Sequence, residues 1–163
     1  MERSAPYLTT LCYIEQDGAY LMLHRTKKDH DPNHDKWLGL GGKFEAGESP
    51  EDCLVRECRE ESGLTLTAYR FRGIVTFVSD RLPTEYMHLF TADGFTGTVT
   101  NCTEGDLAWV KKEEVPALPL WEGDRIFLRL LAKDRLFFSL KLSYTGEHLT
   151  GAFLDGRPYP IEE

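Results

Sequence analysis

Apolar and polar positions alternate in short blocks along this chain, and the blocks change period. Tyr7 to Glu15 is rich in Tyr, Thr, Leu and Ile and predicts a strand. A turn at Gln16-Asp17-Gly18 leads into a second strand from about Tyr20 to Arg25. Lys27 to Lys36 (KKDHDPNHDK) is polar around a central proline and predicts a loop, followed by a short apolar segment at Trp37 to Leu40. Ser49-Pro50 then opens a helix: Ser is a good N-cap, Pro suits the first helical position, and Glu51 and Asp52 favour the positive helix start. Gly63 fits its C-terminal cap. Thr65 to Val78 and Glu85 to Ala92 predict two strands joined through Asp80 to Thr84, and Asp106 to Val110 a shorter one. Ile126, Phe127, Leu130 and Leu131 share one face of a second helix from about Glu122 to Lys133. Leu136 to Leu142 and Leu149 to Leu154 predict a closing hairpin around Thr145-Gly146. Strands and helices mixed in this order imply an α/β sandwich with a mixed sheet. With no repeat, low-complexity tract or break in composition, residues 1–163 are expected to form one domain.

Composition narrows the class. Hydrophobic residues are 41 % and charged residues 28 % of 163, ordinary values for a globular protein with a real core. The net charge of −8 argues against a partner of the nucleic-acid polymer type, which selects a basic face. A small anionic substrate remains compatible, provided a cation bridges it. The first residues do not read as a signal peptide and no apolar run is long enough to span a membrane, so a cytoplasmic location without membrane contact is expected. Cys12, Cys53, Cys58 and Cys102 form no C-x-x-C pair and read as reduced thiols, mostly core filler.

One stretch departs from ordinary composition. In GGKFEAGESPEDCLVRECREESGL, Glu57, Glu60 and Glu61 crowd onto one helix face at i, i+3 and i+4. Charges about 6 Å apart repel by roughly 3 kcal/mol per pair at an effective dielectric near 20. Fully solvated and paired with Arg56 and Arg59, the same stripe costs only a few tenths. Leu54, Val55 and Cys58 form the adjacent apolar stripe, so the acidic face borders the core. A hard divalent cation such as magnesium, which prefers carboxylate oxygens, would offset the repulsion. Gly39, Gly41 and Gly42 just before the helix permit close backbone approach, a carbonyl there can join a metal shell, and Lys43 is placed to contact phosphate.

Gly42, Glu48, Arg56-Glu57, Glu60-Glu61, Gly63 and Leu64 match the pattern G-x5-E-x7-R-E-U-x-E-E-x-G-U, where U is a bulky aliphatic. Residues 42–64 thus resemble the Nudix box, with Cys58 in place of the usual aliphatic. The resemblance implies a Nudix-type α/β/α sandwich with a central mixed sheet. It also implies a metal-dependent hydrolase of nucleoside diphosphates linked to another moiety, using Mg2+ with Mn2+ as a substitute. By position, Glu60 and Glu61 would be the central metal ligands and Gly41 would offer its carbonyl. Glu57 would be a further ligand or the general base, Arg56 would orient the carboxylates, and Glu48 would support the turn. A ligand from outside the box is expected at Glu104, which otherwise reads as a turn residue before Gly105.

The likeness extends to HDKWLGLGGKFEAGE, EGDLAWVKKEEVPALPLWEGDRIFLRLL and FFSLKLSYTGEHL, and there it is to the MutT-type branch that degrades oxidised purine nucleoside triphosphates. In that branch an aromatic and an acid before the last helix hold the base. Trp121 and Asp124 match them, although Trp121 also reads as an ordinary core aromatic. Leu38 stands where an Asn often follows the Trp of the turn, and it cannot hydrogen-bond a purine edge. The turn lacks the Phe-Pro-Gly-Gly of the coenzyme A branch, and Ser79-Asp80 stand near where the ADP-ribose branch often carries Pro. The expected substrate is a nucleotide such as 8-oxo-dGTP, cleaved to the monophosphate and pyrophosphate. A non-catalytic nucleotide-binding module is the other function class, and the intact Glu57, Glu60 and Glu61 speak against it. His30-Asp31 and His34-Asp35 read as a polar lip over the cleft rather than a metal site, because the segment has no rigid frame.

Overall fold

Six consecutive buried residues, Thr9 to Ile14, occupy the middle of strand β1 (Tyr7–Gln16). A sheet with one wet face would alternate; an unbroken run means that both faces are covered. Leu11 and Tyr13 enter one core, Cys12 and Ile14 the other, and β2 (Ala19–Arg25) splits Tyr20 and Met22 from Leu21 and Leu23 in the same way. Helix α1 (Pro50–Ser62) covers the Cys12 face through Leu54 and Cys58. Helix α2 (Asp124–Ala132) covers the Tyr13 face through Ile126, Phe127, Leu130 and Leu131. The computed structural model, which describes residues 5–27, 30–100 and 104–161, therefore has the α/β/α sandwich expected from the sequence.

The remaining strands are β3 (Trp37–Leu38), β4 (Thr65–Ser79), β5 (Glu85–Thr96), β6 (Gly105–Lys111), β7 (Phe138–Thr145), β8 (His148–Leu154) and β9 (Arg157–Pro158). Their order is β3-β2-β1-β5-β4-β7-β8-β9, with β6 also on β2. The β1/β5 and β4/β7 pairs are parallel and the others antiparallel, so the sheet is mixed. A split in this sheet makes room for the site. β1 and β2 pair only at their hairpin end, through Glu15↔Tyr20 and Gln16↔Ala19. Beyond it β3 takes the edge of β2, and the segment Leu40 to Lys43 takes the edge of β1 through bridges at Cys12 and Thr9. The glycine-rich turn is thereby hydrogen-bonded into the sheet.

Helix α1 has the ends its sequence promises. Ser49 Oγ accepts the Asp52 N–H and Asp52 Oδ2 accepts the Ser49 N–H, each at 3.1 Å, a reciprocal capping box. Gly63 closes the helix at φ 80°, donating its N–H to the Arg59 carbonyl at 2.8 Å. Some features lay outside the sequence reading. Val55 is only half-buried, and Cys53 packs inward instead. β5 runs on to Thr96, a 3-10 turn spans Val115–Ala117, and the two-residue β9 joins the sheet edge. Cys12, Cys53 and Cys58 are free and buried, whereas Cys102 lies outside the described residues. No helix among the described residues is long and apolar enough to cross a membrane.

Candidate active site

Two glycines bring helix α1 against the turn. A side chain at Gly41 would collide with the Thr10 carbonyl, and one at Gly42 would come within 2.5 Å of the Glu57 carboxyl group. The absence of both lets the Gly41 N–H donate to Glu61 Oε1 at 2.7 Å. It also lets Glu57 lie directly on the backbone at Gly42. The Gly42 carbonyl is occupied by the Thr10 N–H at 2.9 Å and by Cys53 Sγ at 3.5 Å.

Arg56 organises the acidic residues around this contact. Its guanidinium donates through Nε and Nη2 to the two oxygens of Glu48 at 2.7 and 2.8 Å, a two-pronged bond of the strong kind. It also reaches Glu57 Oε1 at 2.7 Å, Glu60 Oε2 at 3.3 Å and the Lys43 carbonyl at 3.0 Å. The Arg56 hydrogen bonds hold Glu48 down at about 2, well below the usual carboxylate range. Glu57 goes the other way: burial raises its pKa, the Arg56 bond opposes this, and Glu60 and Glu104 add like-charge repulsion. Burial pushes Glu61 up to about 8, against the Gly41 N–H, with Glu104 and Glu57 adding to the rise.

Glu104 arrives from another element. β6 pairs β2 with Arg25 opposite Gly105, which sets Glu104 beside Arg25 at 3.2 Å. The same Arg25 donates to Asp31 at 2.9 Å in the loop before β3. Asp31 Oδ1 accepts the Asn33 N–H at 3.0 Å, and Asn33 Oδ1 accepts the Trp121 indole N–H at 2.7 Å. The polar loop is thus folded onto the cavity wall through Asp31 and Asn33, while His24 pairs with Asp35.

A cavity of about 440 Å³ joins these parts. Its wall holds two groups: Gly41, Gly42, Glu57, Glu61 and Glu104, and, built around Trp121, Leu38, Phe77, Met87 and Asp124. Trp121 packs edge-on against Phe77 and Tyr144, and Lys36 Nζ stands 4.9 Å from its ring centre. It belongs to the core and to the cavity wall at once. Asp124 is 5 % exposed, and no described residue donates a hydrogen bond to its carboxyl group. Burial pushes it up to about 8, with Arg125 opposing and Glu85 reinforcing the shift.

Of the residues singled out in the sequence, Gly41, Lys43, Glu57, Glu61, Glu104, Trp121 and Asp124 share this wall. Lys43 stands over the Tyr7 ring at 4.9 Å. Glu60 lies apart, its side chain 59 % exposed on the outer side of Arg56. Helix geometry explains the separation: relative to Glu57, Glu61 is rotated by about 40° one way and Glu60 by about 60° the other. Sequence reasoning passed over Asn33, Tyr7, Thr9 and Glu85, all of which line the cavity.

The donor set suits a divalent cation. Among the described residues no three acidic, imidazole or thiol side chains already stand close enough to hold a metal. Magnesium needs no such cage, since it commonly takes one or two carboxylates and completes its shell with water and substrate phosphate. Glu57 and Glu61 supply hard oxygens at the rim of a cavity large enough for both, and the like-charge repulsion they share with Glu104 is what a cation relieves.

The family model described as NUDIX domain matches residues 7–131. An uncharacterized Nudix hydrolase of Bacillus subtilis, YvcI, is 32 % identical over 143 residues, covering 85 % of this chain and 87 % of its own. The oxidized purine nucleoside triphosphate hydrolase of Mus musculus is 36 % identical over 104 residues, 63 % of this chain and 66 % of its own. A CTP pyrophosphohydrolase of Escherichia coli is 32 % identical over 112 residues, 68 % of this chain and 80 % of its own. Among solved structures, a mutator MutT protein from Bacillus halodurans superposes with a TM-score of 0.82 at 27 % identity, covering 93 % of this chain and 99 % of that one.

Proposed function

The chain belongs to the Nudix hydrolase family, and on that premise we propose that it is a magnesium-dependent nucleoside triphosphate diphosphatase, with manganese as a substitute ion. Its substrate is an oxidised purine nucleotide such as 8-oxo-dGTP, released as the monophosphate and pyrophosphate. One observation carries this reading: a single cavity is lined by an acidic group of residues and by a second, aromatic and apolar group that includes a buried carboxyl. Phosphates with their cation fit the first group and a flat base fits the second.

The cation would be held by Glu57 and Glu61, with Glu104 and the Gly41 carbonyl completing its protein contacts and Glu60 approaching from the rim. When bound, it neutralises phosphate charge and makes a water more acidic. Glu57, whose pKa is raised by burial, accepts a proton more readily near neutral pH than an ordinary glutamate. Arg56 fixes the Glu57 carboxyl group, and Glu48 in turn fixes Arg56. Trp121 and Asp124 hold the base, the raised pKa of Asp124 leaving a proton to donate at neutral pH.

The names of the mouse and Escherichia coli relatives point to different bases, so the decisive comparison is kcat/KM for 8-oxo-dGTP, dGTP and CTP with magnesium, with the products identified. The expected result is 8-oxo-dGTP ahead of dGTP by about 10-fold or more, the scale of a few well-placed contacts. Equal values would remove the preference for the oxidised purine and leave the hydrolase. Faster turnover of CTP would move the protein to a pyrimidine substrate.

A further inference from the structure

Glu85 opens β5 directly opposite Tyr7 of β1 in the parallel β1/β5 register. Its side chain lines the same cavity as Asp124, Phe77 and Met87, and its charge acts on Asp124. Both carboxyl oxygens are held from the β1 side: the Tyr7 hydroxyl donates to Oε1 at 3.0 Å, and Thr9 Oγ1 donates to Oε2 at 2.7 Å. Burial, reinforced by Glu85, raises the Tyr7 phenol, so it remains a donor across the working pH range. Lys43, which lines the same wall, stands over the Tyr7 ring.

A carboxylate has about four acceptor sites on its two oxygens. Tyr7 and Thr9 fill one on each oxygen, which leaves about one acceptor site on each for a ligand. Two hydroxyls fixing one carboxylate make a rigid acceptor pair, and a rigid pair selects for geometry as well as for charge. Asp124, nine-tenths buried on the same cavity and without a described donor to its carboxyl group, is a second polar group awaiting a partner from a ligand.

We propose that Glu85 is a base-reading residue, selecting purines that present two adjacent N–H donors. Guanine and its oxidised form offer such a pair in N1–H and the 2-amino group. Hypoxanthine keeps N1–H and lacks the amino group, so one acceptor of Glu85 goes unmet. Adenine presents an acceptor at N1, against the carboxylate. An acceptor left unmet or opposed by the ligand discriminates strongly wherever the water it gave up is not replaced. The inference rests on the purine nucleotide reading above and deepens it, since Glu85 would touch the base itself.

The test is binding of the two monophosphates dGMP and dIMP without metal, followed by tryptophan fluorescence, alongside kcat/KM for dGTP and dITP with magnesium. The native protein is expected to favour the guanine member by about 10-fold or more in both measurements. Glu85→Gln keeps the shape and turns one oxygen into an amide donor; it should bring the ratio to within about 3-fold of unity in both. Tyr7→Phe frees one side of the carboxylate while leaving Glu85 in place, and should weaken the preference less. Urea unfolding of each variant separates the alternatives. If Glu85 only ties β1 to β5, Glu85→Gln lowers the midpoint and leaves the guanine preference intact, which overturns the proposal. A native enzyme that hydrolyses dGTP and dITP equally well overturns it too, without touching the purine reading. A native enzyme that turns over neither nucleotide, nor 8-oxo-dGTP, overturns the purine reading itself.

Discussion

Asp124 is the residue on which burial and chemistry meet most directly. A carboxyl group that is 5 % exposed, without a described hydrogen-bond donor, is stable only while it keeps its proton. Its pKa in the folded chain is about 8, against roughly 3.9 for an unfolded aspartate. The folded state therefore binds more protons between these limits, and stability drains away as pH rises from about 4 to about 8, by at most roughly 1.4 kcal/mol per pH unit. Asp124→Asn removes this term. Between pH 5.5 and 7.5 the variant should gain on the native protein in urea unfolding by about 2–3 kcal/mol. A gap independent of pH would show that Asp124 is ionised in the fold. The sequence marked Asp124 through its place before the last helix, yet nothing in it showed how deeply that acid is buried. Glu85 and Asn33 were less legible still. Glu85 meets Tyr7 only through a parallel pairing 78 residues apart in the chain, and Asn33 meets Trp121 across 88.

At the scale of elements, legibility followed local signals. Helix α1 was readable to its ends because Ser49, Pro50, Asp52 and Gly63 carry its boundaries within a few residues of each helix end. The two-residue β9 and the extension of β5 carry no period of their own and exist because a neighbouring strand offers its edge. Within α1 the sequence could not separate Glu60 from Glu61. Both belong to one acidic stripe, and only packing against the glycine turn decides that Glu61 goes inward while Glu60 stays outside on Arg56. The capping box stands at the opposite end of the helix from Glu61, so stability and chemistry can be tested apart. Ser49→Ala should cost about 1 kcal/mol in urea unfolding. The hydrogen bonds of Glu57 and Glu61 do not involve Ser49, so kcat should stay within about 3-fold of the native value. A much larger loss of kcat at unchanged stability would mean that the cap sets the position of the acidic end.

Over the whole molecule, the sheet split explains why a chain of net charge −8 concentrates carboxyl groups where they repel. β3 and the Leu40 to Lys43 segment hold the two halves apart, β6 brings Glu104 to the gap, and α1 brings Glu57 and Glu61. The fold thus stores an electrostatic cost that disappears when the chain unfolds and the carboxyl groups separate. A cation that binds the folded site and not the unfolded chain must raise the unfolding free energy, by RT ln(1 + [L]/Kd). At 100 times Kd the gain is about 2.7 kcal/mol, enough to move a domain of this size by several degrees. Calorimetry at pH 8 with magnesium and with a chelator should therefore show a clear rise in Tm for the native protein. Glu61→Gln keeps the shape of the side chain and removes a hard anionic donor. Its Tm in chelator should match or exceed that of the native protein, its rise with magnesium should be less than half as large, and its turnover should fall by several orders of magnitude. An equal magnesium-dependent rise in both proteins would place the cation elsewhere, and near-full activity in the variant would take Glu61 out of the chemistry.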